Sequence, residues 1–309
     1  MSKVDWITKQ PARIHCQGVR ETVKQDRQEI VNYLLRLADK IDHRGLPILE
    51  EDWDVLIVLD GCRVDLLEQV SEEYYFLSSP IRSVRSLGSA SMTWMNQNFS
   101  EDYIQKTRKT AYITGNPFSQ RYLDKQTFAL IDEVWRYGWD EEIGTVPARH
   151  ITDRAIMTAR NQNFDRLIIH YMQPHFPSIP SPLNSGMNLE TFGESWSSVW
   201  ERLRSGNIEK EAVWDSYLEN LRYVLDDIEL LLKNMNAERV VISADHGNAL
   251  GEWGQYGHPA NMPIGVLRDV PWVETTSQDE ENYLPSYERK ADSIDDTEVK
   301  SRLEDLGYM

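Results

Sequence analysis

Cysteine, lysine and long apolar runs are what this chain has least of. Only two cysteines occur in 309 residues, Cys16 and Cys62, so no disulfide framework is implied. No apolar run approaches the roughly 20 residues that a membrane-crossing helix needs, and no signal peptide precedes the first polar residues. The bare sequence therefore reads as cytoplasmic, which leaves docking to a membrane through a partner open. Cations are scarce as well: 33 Lys and Arg stand against 50 Asp and Glu, a formal net charge of -17. That balance argues against a nucleic-acid binder, because phosphate contacts need clustered Lys and Arg. Among the cations, 11 are Lys and 22 are Arg. An acidic, Lys-poor chain is what a salt-adapted cytoplasm favours, since dense carboxylates keep the surface hydrated and mutually repelling. A halophilic, haloarchaeal source is the expectation.

What is present is an ordinary apolar content of 40%, enough for one large α/β domain or two small ones. Residues 1–50 form a polar extension in which the apolar positions 30, 31, 34, 35, 37 and 38 have helical spacing. A catalytic domain is expected over 51–275 and an acidic tail over 276–309, with a short helix-like stretch at 301–306. Trp53 to Asp60 is the first strong strand, nearly all apolar and so buried on both faces, as in a parallel sheet. Residues 111–117 read as strand and turn, 129–135 as a strand interrupted by two acids, 147–160 as a helix, and 166–171 as a buried strand. An irregular insertion, read as a substrate lid, covers 178–212. The amphipathic helix Trp214–Met235 leads straight into a strand at 239–244, the helix-to-strand step of a doubly wound fold. Residues 269–273 read as an edge strand. The fold expected is α/β: a mixed, mostly parallel sheet with helices on both faces.

Three of these strands end in side chains that bear chemistry. The first ends at Asp60, and the one at 166–171 runs into His170 and, five residues on, His175. The third, Val240 to Ala244, ends at Asp245 and His246, with His258 twelve residues later in Gly257-His258-Pro259. Strand C-termini are where open α/β sheets bind ligands. Carboxylate and imidazole together suit borderline divalent ions such as zinc or manganese. Arg63, just after the first strand, could hold a substrate anion or simply pair with Asp65. Between Gly88 and Trp94 lie three hydroxyls, Ser89, Ser91 and Thr93, where a turn passes into a helix whose free N–H groups favour an anion. A plain helix cap needs one hydroxyl, and composition does not choose among the three.

With Asp60, the Ser-rich turn, His175, Asp245-His246 and His258 in place, residues 53–273 resemble the alkaline phosphatase superfamily, in its sulfatase-like and phosphoglycerol-transferase-like branch. The segment Ala244 to Ala249 with His258 is also similar to cofactor-independent phosphoglycerate mutases and phosphopentomutases, but residues 95–165 leave no room for their large cap domain. The resemblance implies a metal-dependent hydrolase or transferase acting on a phosphate or sulfate ester, whether small-molecule, glycan or lipid-linked. It implies Ser91 as nucleophile, with Ser89 as runner-up. Asp60, Ser91, Asp245 and His246 would hold one ion, and His175 and His258 a second. The second ion's Asp position falls on or near His170. In the sulfatase branch, the His of a segment like Gln173-Pro174-His175 contacts substrate instead. Zinc or manganese is the ion implied, with calcium or magnesium as alternatives. Cys62-Arg63-Val64-Asp65 is neither the sequence nor the place of a formylglycine motif, so Cys62 reads as a small buried residue. The alternative from another class is an inactive protein that keeps the fold to bind a glycan or lipid head group.

Overall fold

The computed structural model describes residues 19–42, 44–161, 164–183 and 198–287. Its framework is a seven-stranded sheet in the order β2-β9-β6-β1-β5-β3-β4. The strands are β1 (Val55–Asp60), β2 (Ser83–Arg85), β3 (Thr110–Thr114), β4 (Leu130–Glu133), β5 (Arg166–Pro174), β6 (Ala237–Ala244) and β9 (Asp269–Ser277). A separate two-stranded hairpin pairs β7 (Ala249–Leu250) with β8 (Tyr256–Gly257). From β6 to β4 every pairing is parallel; β9 and β2 add antiparallel pairs at one side. The sheet is therefore mixed and mostly parallel, as its continuous apolar runs lead one to expect.

Both faces are covered. One side chain set of the sheet, including Ile57, Leu59, Ile113, Ile169 and Ile242, packs under the long helices Ala148–Asn161 and Lys210–Leu232. The alternate set, Leu56, Val58, Tyr112, Ile168 and Val241, packs against Trp53, Trp94, Met95 and Phe128. Burial of each such aliphatic side chain contributes about 1.5–3 kcal/mol. Period-2 alternation then decides the site. Asp60, His170 and Asp245 follow Val58, Ile168 and Ser243 by two residues each, so all three share the face covered by the short helix Ser91–Asn98.

Several expectations need correction. The strand at 269–273 is longer, Asp269–Ser277, and is no edge, because β2 pairs with its first three residues; three residues, none of them buried, are too short to announce a strand. The insertion at 178–212 is not irregular throughout: Val199–Arg204 is a helix closed by a Ser198/Glu201 capping box, and Lys210 already opens the long helix. Residues 184–197 and the helix-like stretch at 301–306 lie outside the described residues. The charged segment after 275 begins inside the fold. Gln278 N donates to Leu232 O, and Asp153 accepts hydrogen bonds from the Tyr283 hydroxyl and from the backbone N–H groups of Ser286 and Tyr287. We label the helices used below α1 (Val19–Asp39), α2 (Ser91–Asn98), α3 (Val199–Arg204) and α4 (Lys210–Leu232). Among the described residues, no helix is long and apolar enough to cross a membrane.

Candidate active site

Register places the acids side by side. Leu59 of β1 pairs with Ala244 of β6, so Asp60 and Asp245 leave adjacent strands at the same level. Gly61 follows with φ of +69°, a left-handed turn that glycine adopts without a Cβ penalty. Its N–H donates to Asp245 Oδ1 at 3.0 Å, and the His246 N–H donates to the same oxygen at 2.9 Å. Both acids and His246 are fully buried. Burial works to raise the pKa of Asp245, but the neighbouring His246 and His170 rings and its hydrogen bonds outweigh it, so the carboxyl is held below its ordinary range.

His246 is held in one tautomer. Its Nδ1 lies 2.9 Å from Gly247 O, which can only accept, so Nδ1 carries the proton. The Nε2 lone pair then faces Asp60 Oδ1 at 3.6 Å, Asp245 Oδ2 at 3.5 Å and Ser91 Oγ at 3.3 Å. A backbone carbonyl fixing the far nitrogen is the arrangement found behind metal-binding imidazoles. Gly247 is required here, since a Cβ at that position would come within 2.2 Å of Val266 O.

The three hydroxyls have different partners. Ser89 Oγ donates to Pro259 O (2.9 Å) and accepts from Met262 N (3.2 Å). Thr93 Oγ1 donates to Ala90 O and accepts from Ala90 N. Ser91 is the first residue of α2, fully buried, with Oγ 3.4 Å from Asp60 Oδ2. Gly88 lets the loop turn this tightly: a Cβ there would lie 2.3 Å from Trp94 N.

His170 sits beneath the same cluster. Its Nε2 lies 3.9 Å from Asp60 Oδ2 and 3.7 Å from Asp245 Oδ2, and its Nδ1 lies 2.7 Å from the Tyr112 hydroxyl. Burial pushes its pKa down to about 4. His175 and His258 form a pair closer to solvent, their Nε2 atoms 2.8 Å apart. Asn220 of α4 holds the first of them by donating to Pro174 O and His175 O. His170, at or near the position where the resemblance puts the second ion's Asp, turns its ring towards Asp60 and Asp245. Among the described residues, one group of three carboxylate and imidazole ligands has its atoms within 4.8 Å of one another: Asp60, Asp245 and His246. That group fits a divalent ion. Asp245 Oδ2 and His170 Nε2 are buried, have no hydrogen-bond partner and lie beside it. Such orphaned atoms are costly unless something fills the gap.

Arg63 pairs within the protein, as its Asp65 alternative anticipates. Its guanidinium donates to Asp65 Oδ1 and Oδ2, Glu252 Oε1 and Asn248 O. Burial opposes its charge, but the two carboxylates more than restore it, so its pKa lies above the ordinary value. It joins β1 to the segment after Asp245. Cys62 is buried, and burial pushes its thiol pKa far up, which leaves it inert.

Sequence reasoning missed three groups. Asn116 donates from Nδ2 to Asp60 Oδ2 at 2.7 Å, Tyr112 orients His170, and Ser86 Oγ donates to Asp245 O. Asn116 sits in Gly115-Asn116-Pro117, where an ordinary turn gives it no distinguishing signal. A cleft of about 290 Å³ opens beside the cluster, between Ala90, Met92, Tyr256 and His258 on one side and Trp200 and Arg204 of α3 on the other. The Trp200 ring lies against Gly257, whose φ of +69° and missing Cβ permit the contact. Arg204 stands with its guanidinium 5.6 Å from the Tyr256 ring centre.

No family model matches the chain, and no curated protein is similar enough in sequence to match it. Solved structures do match. The soluble domain of lipooligosaccharide phosphoethanolamine transferase A from Neisseria meningitidis aligns with a TM-score of 0.51 and 15% identity, over 72% of this chain and 76% of that one. The integral membrane protein from which it comes aligns with a TM-score of 0.50 and 16% identity; 74% of this chain covers about half, 48%, of that one. A 2-O GAG sulfatase aligns more loosely, with a TM-score of 0.44 and 12% identity over 83% of this chain and 71% of that one. At these identities it is the architecture that is shared: the chain has the alkaline phosphatase-like fold of the phosphoethanolamine transferase domain.

Proposed function

We propose that this protein transfers a phosphoryl or sulfuryl group from an ester, through a covalent intermediate on Ser91, with one divalent ion held by Asp60, Ser91, Asp245 and His246. The observation that carries this reading is the position of Ser91 Oγ, buried within 3.4 Å of Asp60 and 3.3 Å of His246 at a helix N-terminus. His170 Nε2 is the reserve ligand beneath it. A bound zinc or manganese ion supplies Lewis-acid stabilisation of the charge that develops on the transferring group and eases ionisation of the Ser91 hydroxyl. The chain's own groups do the rest. Asp60 Oδ2 accepts the Ser91 proton as the bond from Oγ to phosphorus or sulfur forms and the bond to the leaving oxygen breaks. The N–H groups at the start of α2 face the transferring group's oxygens. His258, at the mouth, turns its single Nε2–H from His175 to the leaving oxygen as that oxygen becomes negative. Water or an acceptor alcohol then takes the group from Ser91 and regenerates the hydroxyl.

His175 and His258 act here as contacts to the ester and not as ligands of a second ion, since they already hydrogen-bond each other. The remainder of the substrate lies in the cleft against Trp200 and Tyr256, with Arg204 taking an anionic or polyhydroxyl part of a glycan or lipid head group. The phosphoethanolamine transferase neighbour favours phosphate over sulfate. The test combines metal analysis with peptide mapping. Protein dialysed against zinc or manganese should carry one ion per chain, and Asp245→Asn should carry none. After incubation with an aryl phosphate or a phosphoethanolamine lipid, the adduct should map to Ser91. Stoichiometric metal with no adduct and no turnover would leave a binding protein of this fold.

A further inference from the structure

Six of the nine exposed large apolar side chains among the described residues lie on or directly after one helix, α1: Val23, Ile30, Tyr33, Leu34, Leu37 and Ile41. They are between 39% and 80% exposed. The opposite side of α1 is well anchored. Gln28 Nε2 donates to Trp253 O, Gln255 Nε2 donates to Asn32 Oδ1, Leu35 packs on Met262 and Leu267, and Asp39 pairs with Arg268. The helix is thus held on the domain by positions 28, 32, 35 and 39, with an apolar seam facing away.

The spacing of that seam identifies what covers it. Positions 23, 27, 30, 34, 37 and 41 alternate steps of four and three, the 3.5-residue repeat of a helix that meets another helix. A membrane-surface helix calls instead for a basic polar face. Here the flanks mix Asp26, Glu29, Arg36 and Lys40, on a chain of net charge -17. We propose that a second copy of this chain covers the seam, α1 against α1, antiparallel about a two-fold axis.

Charge decides the direction. In parallel register Arg27 would meet Arg27, like charges at a seam position. In antiparallel register Val23 faces Ile41, Arg27 faces Leu37 and Ile30 faces Leu34, each contact occurring twice as an isologous pair requires. Arg27 can lay its methylenes on Leu37 and keep its guanidinium in water. The flanking positions then set Asp26 opposite Lys40, and Tyr33 meets its own copy at the axis.

The experiment is sedimentation equilibrium of the whole chain at micromolar concentration, in dilute buffer and in molar KCl. Wild type should show twice the monomer mass. Leu34→Glu with Leu37→Glu should halve it while leaving the circular dichroism spectrum unchanged, because both side chains are exposed in the monomer. Direction is read on a Cys16→Ser background with a short bis-maleimide. Tyr33→Cys should cross-link to its own copy. Val23→Cys should not, because an antiparallel pair holds its two copies about 27 Å apart. A wild-type monomer, a dimer that survives the double substitution, or cross-linking at 23 and not at 33 would each overturn the proposal. So would a monomer that co-sediments with phosphatidylcholine–phosphatidylglycerol vesicles, which would make the seam a lipid contact.

Discussion

His175 and His258, 83 residues apart, meet through their Nε2 atoms at 2.8 Å. The His175 Nδ1 proton is committed to Phe176 O at 2.5 Å, so His175 Nε2 is the acceptor and His258 Nε2 the donor. Both rings are therefore neutral. Burial pushes His175 down to about 4 and His258 well below its ordinary value, and the neighbouring imidazoles reinforce this.

This depression carries a stability cost at mild acidity. The unfolded chain takes up protons at its imidazoles near pH 6.5, whereas folded His170 and His175 hold out to about 4 and burial holds His258 down as well. The unfolded state binds more protons in that window, so stability is complete above pH 6.5 and falls as pH drops towards 4, by at most roughly 3 kcal/mol for each of His170 and His175. Calorimetry of chelator-treated protein between pH 7 and 4.5 should show a falling midpoint, with a shallower slope in His258→Gln. A midpoint that is flat across the window would contradict neutral, buried rings.

The three hydroxyls of the Gly88–Trp94 loop should separate by rate. Ser91→Ala should lose several orders of magnitude in kcat while retaining metal, as loss of a covalent nucleophile does elsewhere. Thr93→Ala removes only a local helix-start contact and should stay within a few-fold of wild type. Ser89→Ala frees Pro259 and Met262 from their tie, so its effect should fall on KM through the His258 loop. Full activity in Ser91→Ala would remove the covalent step.

Arg204 offers a distinct test, because it lines the cleft and is not part of the Asp60, Asp245 and His246 cluster. Arg204→Ala should raise KM about tenfold or more for an ester carrying a second anionic group, with kcat little changed; one charge-assisted contact of about 1.5–3 kcal/mol corresponds to that range. For a small aryl ester that does not reach α3, KM should be unaffected. Equal effects on both substrates would show that the cleft is not where the substrate extends.

Salt dependence tests the acidic surface. Exposed pairs such as Arg222 with Glu73 and Arg239 with Asp54 weaken in salt, but each is worth only about 0–1 kcal/mol. Self-repulsion at a net charge of -17 acts over the whole surface and is relieved by screening. The thermal midpoint should therefore rise from dilute buffer to molar KCl, and a fall would show that the ion pairs dominate.

Much of this was legible in the chain, for definite reasons. Strands β1, β5 and β6 are apolar on both faces, so their runs stand out, and the chemistry lies where those runs end. Asp60, Asp245 and His246 could be named on that basis alone. What escaped were groups fixed by long-range contacts. Ser83–Arg85 becomes a strand only because β9 lies beside it. Asn116 matters only because the turn after β3 brings its Nδ2 to 2.7 Å from Asp60 Oδ2. Arg63 offered two readings, and only the fold brings Glu252, 189 residues away, to complete its cage. Composition does not choose among the three hydroxyls; the resemblance puts Ser91 first, and only the fold shows how their partners differ.

The cleft residues Trp200 and Arg204 and the hairpin residue Tyr256 lie outside the seven-stranded sheet, whereas Asp60 and Asp245 are fixed by its ladder. Under the proposed function, reaction and recognition fall to different parts of the molecule. Substitutions in residues 198–204 should then retune which ester or acceptor is taken without shifting the groups that make and break the bond. A chain built this way can change customers while keeping its trade, and substrate range in proteins of this architecture should drift faster than reaction type.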